Sequence, residues 1–236
     1  MTTSIGTDRG ERWRRVGLLV PSSNTVVEVD FVRRLPSYVT LHTARMFMER
    51  TTVEAEETML DGFTMPAAEA VGTVYPHVTV FGCTSAGALR GNDYDTELVK
   101  RIGKVTDSQG VSVIRSVREA IARRGGGRIG VITPYIDALN ERIKASLEDD
   151  GLDVVDIFGL NMDENFEIAQ VEPDRIVEFA VESFDDREID LLFVSCTNFR
   201  AFDAREAMEA ALRLPVVTSN HATLEAVELL LEALDQ

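Results

Sequence analysis

Val78-Thr79-Val80-Phe81-Gly82-Cys83-Thr84-Ser85 and Leu191-Leu192-Phe193-Val194-Ser195-Cys196-Thr197-Asn198 are the two stretches that decide the fold of this chain. Each is an apolar run of strand length closed by a small residue, a cysteine and a threonine. The cysteines lie 196 − 83 = 113 residues apart, and the same offset carries Gly17-Leu18-Leu19-Val20-Pro21 onto Gly130-Val131-Ile132-Thr133-Pro134. The chain therefore reads as a duplicated unit with one thiol at the equivalent place in each half. A pseudo-twofold fold of that kind can present two thiols to opposite faces of one small molecule.

Outward from these stretches, short apolar runs alternate with helical patterns, the signature of parallel strands joined by crossover helices. The first half reads as strand 16–20, helix 24–35, strand 39–46, an interrupted helical region 51–71, strand 78–82, a loop 87–92 and helix 96–104. The second half reads as strand 111–114, helix 117–124, a glycine stop at 125–127, strand 128–133 and a helix from Pro134 to about Asp150. Strand 152–158, helix 174–183, strand 191–195, helix 203–212, strand 216–218 and helix 221–234 complete it. Val113-Ile114-Arg115-Ser116 matches Val216-Val217-Thr218-Ser219 at a shorter offset, 216 − 113 = 103. The fold class is α/β, two pseudo-twofold-related parallel-sheet halves with the active site in the cleft between them. Ligands of parallel α/β sheets sit beyond the carboxyl ends of the strands. The turns there are Pro21-Ser22-Ser23-Asn24, Cys83-Thr84-Ser85, Thr133-Pro134-Tyr135 and Cys196-Thr197-Asn198.

At 236 residues and 44% hydrophobic content the chain can bury a sizeable core. No apolar stretch approaches the roughly 20 residues of a membrane helix. Met1 to Arg15 reads as a short polar leader without the apolar segment of a signal peptide, which points to the cytoplasm and to free thiols rather than a disulfide. The formal net charge of −16 argues against nucleic acid and anionic membranes as partners; the sequence leaves a homo-oligomer open. His42, His77 and His221 are scattered and fit no metal-ligand spacing. His221 alone stands at a strand-end turn, where capping the last helix outweighs lining the cleft. No phosphate-binding glycine motif is present. The acidic runs Glu54-Ala55-Glu56-Glu57 and Glu148-Asp149-Asp150 read as solvated helix faces.

A cysteine at a strand end faces exposed amide N–H groups, which lower a thiol pKa and make it a nucleophile and proton carrier at neutral pH. Burial as a small apolar residue is the plain alternative, and two thiols at symmetric positions weigh against it. Ser22, Ser23 and Asn24 have the composition of a helix cap, although an amide at Asn24 can also donate to a carboxylate. Tyr135 offers a hydroxyl where a cap needs none. Asn161 and Asn165 fall in a loop where turn formation is the ordinary role.

The Val20-Pro21-Ser22-Ser23-Asn24-Thr25 turn, the two Cys-Thr turns and the Thr133-Pro134-Tyr135 turn together resemble the aspartate/glutamate racemase superfamily, and within it the maleate cis-trans isomerase and arylmalonate decarboxylase branch. The resemblance runs from about Val16 to Leu234. It implies Cys83 as nucleophile and Cys196 as its acid/base counterpart. Asn24, Tyr135 and Asn165 would hold the substrate carboxylates, with Asn165 preferred over Asn161. Backbone amides around Thr84, Ser85, Thr197 and Asn198 would stabilise developing charge. No cofactor is implied.

The final strand and helix would cross back, giving an N-terminal half of 15–110 plus 214–236 and a C-terminal half of 111–213. The implied activity is isomerisation of a small anionic dicarboxylate, maleate first, through a covalent cysteine adduct. The alternatives are a two-base amino-acid or hydroxy-acid racemase, including an ectoine-utilisation type, an arylmalonate decarboxylase-like enzyme, and a two-lobed small-acid binding protein. The decarboxylases keep only the second of the two thiols, which disfavours that chemistry here. Thr84 and Ser85 after the first cysteine are more like the racemases.

Overall fold

The computed structural model describes residues 13–234. The leader expected over Met1–Arg15 lies outside the described residues as far as residue 12, while Arg14 and Arg15 open the first strand. The first half runs β1 (Arg14–Pro21), α1 (Val27–Arg34), β2 (Val39–Met46), α2 (Val53–Gly62), α3 (Thr64–Gly72), β3 (Val78–Phe81), α4 (Thr84–Leu89), α5 (Asn92–Thr106) and β4 (Gln109–Ser112). The second runs α6 (Val113–Arg123), β5 (Arg128–Thr133), α7 (Asp137–Asp149), β6 (Asp153–Gly159), α8 (Asn165–Ile168), α9 (Pro173–Phe184), β7 (Leu191–Val194), α10 (Ala201–Leu212), β8 (Val216–Thr218) and α11 (Ser219–Leu234).

The strands form two four-stranded parallel sheets of orders β2-β1-β3-β4 and β6-β5-β7-β8. Their central registers repeat the 113-residue offset pair for pair: Val16 faces Val78 and Gly17 faces Thr79, as Ile129 faces Leu191 and Gly130 faces Leu192. Strands β3 and β7 are buried throughout, as expected for parallel sheets covered on both faces, whose strands read as continuous apolar runs. One hydrophobic core joins both sheets and contains both cysteines.

At the ends of the halves the structure corrects the sequence reading. Val80 pairs Val111, and the equivalent Phe193 pairs Val217, so the terminal units repeat at 217 − 111 = 106, not 103. Val113 and Ile114 already belong to the helix, because the Ser112 hydroxyl accepts from the Arg115 N–H at 3.4 Å and caps it there. The strand ending at Ser112 thus belongs to the first sheet. Conversely β8 stays with the second sheet and only α11 crosses, packing on α6, α1, β3 and β4. A short parallel strand is held by its ladder to β7, whereas a helix is free to follow its apolar face.

The expected loop over 87–92 is also displaced by helix: α4 runs to Leu89. Gly87 permits this, since a Cβ there would stand 2.9 Å from Ile114 Cγ2 and 3.1 Å from Asp95 Oδ1. The helix expected from Asn24 starts at Val27, with Asn24 Oδ1 accepting from the Val26 and Val27 amides at 3.0 and 3.1 Å. Pro134 lies in the turn before α7, which begins at Asp137.

Candidate active site

Four turns, each following one of the two inner strands of a sheet (β1, β3, β5, β7), converge at the carboxyl edges where the halves meet. Cys83 is the residue before α4, in extended backbone, and Cys196 follows β7 with φ +102°. That is a conformation L side chains rarely adopt; strain of this kind, of order 1–3 kcal/mol, persists where surrounding contacts over-determine the backbone. Those contacts reach across the pseudo-twofold. The Cys196 N–H donates to Ser219 Oγ at 3.1 Å and the Thr84 hydroxyl donates to the same oxygen at 3.0 Å. The Thr197 hydroxyl donates to the Gly82 carbonyl at 3.1 Å and accepts from Asn24 Nδ2 at 3.0 Å. Each thiol's turn is thereby pinned by residues of the other half.

Asn198 and Asn165 extend the seam. Asn198 Oδ1 accepts from the Thr25 N–H at 2.9 Å, and its amide donates to the Asn165 carbonyl at 2.6 Å. Asn165 Nδ2 donates to Ser23 Oγ at 2.8 Å while its Oδ1 accepts from the Thr51 hydroxyl at 3.3 Å. Asn24, Thr84, Ser85, Tyr135, Asn165, Thr197 and Asn198 are all buried, as are the two cysteines. Asn161 is exposed, with φ +56°, and only its N–H engages the Tyr135 carbonyl. His221 stands apart: its ring meets Glu225 at 3.3 Å and the edge of Phe202. Its helix starts with the His221 N–H on Thr218 Oγ1, not with an imidazole cap.

Electrostatics at the thiols depart from the sequence reading. Both are free cysteines, only 4% and 5% exposed. Burial pushes the Cys83 thiol well up and Cys196 up to about 11, outweighing amide donation to Cys83 from Ala86 and to Cys196 from Asn198 and Phe199. The resting thiols are therefore protonated, because desolvation of a thiolate costs more than a six-residue helix and a few amides return. The Tyr135 hydroxyl donates to the Cys196 sulfur and holds that thiol below where burial alone would place it.

One functional candidate was missed from sequence. Glu56, expected on a solvated face, is wholly buried, and its carboxyl raises the pKa of both thiols and of Tyr135. Ser85 donates to its Oε1, and Ser85 Oγ lies 3.9 Å from the Cys83 sulfur. Glu56, Met59 and Leu60 are the buried residues of α2, so the i, i+3, i+4 spacing was the available signal. Among the described residues no cluster of three or more His, Cys, Asp or Glu could hold a metal, and no helix is long and apolar enough to cross a membrane.

Residues 16–234 match the arylmalonate decarboxylase family profile. The chain belongs to that family. A maleate isomerase of Pseudomonas putida is 28% identical over 94% of this chain and 92% of its own length. The crystal structure of a Pseudomonas putida maleate isomerase variant with maleate superposes with a TM-score of 0.85 at 26% identity, covering 94% of this chain and 92% of that one. A Nocardia farcinica maleate cis-trans isomerase variant, solved with a covalently bound succinylcysteine intermediate, shares the fold with a TM-score of 0.84 at 23% identity and 93% coverage of each. The two-sheet α/β architecture of this family member thus agrees with the maleate isomerase structures.

Proposed function

We propose that this protein is a cofactor-independent cis-trans isomerase of a small dicarboxylate, with maleate as substrate. The observation that carries the reading is the presence of both thiols at one buried seam between the halves, each bracketed by donors. In that reaction the Cys83 sulfur, once deprotonated, adds to one alkene carbon while Cys196 gives its proton to the other. One C–S and one C–H bond form, and Cys196 is left as a thiolate that the Tyr135 hydroxyl and the Asn198 N–H stabilise, the latter 3.3 Å from the sulfur. Rotation about the new single bond follows. Cys196 then recovers the proton, the C–S bond breaks, and fumarate leaves. Asn24, Tyr135 and Asn165 would hold the carboxylates as neutral donors, and the amides at Thr84, Ser85, Thr197 and Asn198 would meet the enolate-like charge.

A two-base racemase is the second reading, favoured by the Cys83-Thr84-Ser85 turn. Incubation with maleate separates them. An isomerase converts maleate to fumarate, which chromatography resolves from it; a racemase leaves maleate untouched and incorporates solvent deuterium at the α-carbon of a chiral acid. With Cys196→Ser, the isomerase reading expects a maleate-derived adduct on Cys83 by mass spectrometry. An adduct on any other residue overturns the assignment.

A further inference from the structure

Glu56 has no part in the mechanism above, and its surroundings are unusual for a carboxyl. It is wholly buried, Oε2 has no hydrogen-bond partner, and Oε1 takes the Ser85 hydroxyl. A carboxyl stripped of water at this cost is a functional candidate where geometry supports one. Here the geometry is a line of three groups: Cys83 Sγ, Ser85 Oγ at 3.9 Å, and the Glu56 carboxyl bonded to that same oxygen. Ser85 sits two residues past the thiol on the first turn of α4, and Glu56 comes from α2, which packs on α4. The serine is therefore placed between the thiol and the carboxyl.

We propose that Glu56, acting through the Ser85 hydroxyl, takes the proton of the Cys83 thiol as the sulfur attacks its substrate. The S–H proton passes to Ser85 Oγ while the Ser85 O–H proton passes to the Glu56 carboxylate. The sulfur electron pair freed in this way forms the C–S bond, so charge and protons balance, and elimination runs the same transfers backwards. The inference rests on Cys83 being the nucleophile of the proposed reaction. It resolves the difficulty that both resting thiols are protonated, since a fixed base removes the proton during attack and no free thiolate has to accumulate. Burial raises the Glu56 pKa from 4.5 to about 8, so the base form fills as pH rises through that value.

The alternative is that Glu56 acts on Cys83 only as a neighbouring negative charge, and the two predict opposite signs. A carboxylate nearby raises the thiol pKa, so as a mere charge its replacement in Glu56→Gln leaves Cys83 as reactive as before or more so. As a base, its loss slows Cys83 by about a hundredfold, the scale of general-base catalysis. The test is the rate of adduct formation between Cys83 and acrylamide, an uncharged alkene acceptor, followed by mass spectrometry of the Cys83 peptide across pH in wild type, Glu56→Gln and Ser85→Ala. Expected are a wild-type rate that climbs and levels off above about pH 8, and slower rates that keep climbing in both variants. Ser85→Ala decides the matter should Glu56→Gln fail to fold by circular dichroism. Rates in the folded variants equal to or above wild type, an absence of modification in all three included, overturn the relay. Because acrylamide is not the substrate, a failure to isomerise maleate leaves this result untouched.

Discussion

At Cys196 the backbone, not the thiol alone, distinguishes the residue: φ +102° is reserved largely for glycine. Both Cys196→Gly and Cys196→Ala should abolish turnover, but glycine should leave the fold about 1 kcal/mol more stable than alanine, because only alanine keeps a Cβ in a strained conformation. Equal denaturation midpoints for the two variants would argue that the turn relaxes freely. Tyr135 carries a second expectation. Its one O–H proton serves either the Cys196 thiolate or the carboxylate at a given moment, and its removal deprives whichever it serves of a donor, so Tyr135→Phe should lower kcat/KM by roughly ten- to a hundredfold, the equivalent of 1–3 kcal/mol. It should also move any basic limb of the pH profile assigned to Cys196 upward. Wild-type kinetics in that variant would reduce Tyr135 to a packing residue. Glu56 was illegible at this scale, because four acidic-rich residues in a row look solvated until the partner of the helix face is known.

Elements carry the site by close approach. The turn after β5 that bears Tyr135 packs against Gly159 at the end of β6, where a Cβ would lie 2.3 Å from the Tyr135 carbonyl oxygen and 2.5 Å from Asn140 Nδ2. Backbone must move to admit any side chain there. Gly159→Ala is therefore expected to lower both stability and kcat/KM, although Gly159 touches no reacting atom, and its activity loss should track that of Tyr135→Phe. A fully active Gly159→Ala protein would show that the turn position is not critical. The strands of both sheets were readable from apolar runs, within a residue or two of their ends. The short units at the ends of the halves were not: Val113-Ile114 and Val216-Val217 look alike, but a cap at Ser112 makes one pair helix and the ladder to β7 makes the other strand.

Across the whole molecule, the halves are clasped beside Asn165. The Thr51 N–H donates to the Asp163 carbonyl at 2.6 Å, the Asn165 N–H to the Glu49 carbonyl at 3.2 Å, and Arg50 pairs with both Asp163 and Glu164. These exposed ion pairs are screened by salt. Arg50→Ala, or high salt on wild type, should speed amide hydrogen exchange over residues 49–51 and 163–165 while β3 and β7 stay protected; unchanged exchange there would show that the backbone bridge holds alone. Stability against pH gives a further global test. Glu56 binds its proton more tightly folded, with a pKa of about 8, than unfolded, near 4.5. Below 4.5 both states are protonated and there is no penalty; between the two values the unfolded chain alone ionises, and stability falls as pH rises; above 8 the loss is complete. Relative to Glu56→Gln, wild type should lose on the order of 5 kcal/mol over that window, at about 1.36 kcal/mol per pKa unit. Parallel stability curves for the two proteins would contradict the burial of an ionisable carboxyl.

The sequence by itself determined the duplication, the α/β class and the turns of Asn24, Cys83, Tyr135 and Cys196 at the carboxyl ends of their strands, because strand ends, turn residues and a constant 113-residue offset are local or periodic properties; Asn165 was implied by the family resemblance alone. Only the tertiary structure decided that the last strand stays with its own sheet while α11 crosses, that desolvation outweighs the amides around both thiols, and that Glu56 is interior. Each of these depends on which surfaces meet and how much water they exclude. Pairing between distant segments and the dielectric around a side chain are set by the assembled fold, and no window of sequence contains them.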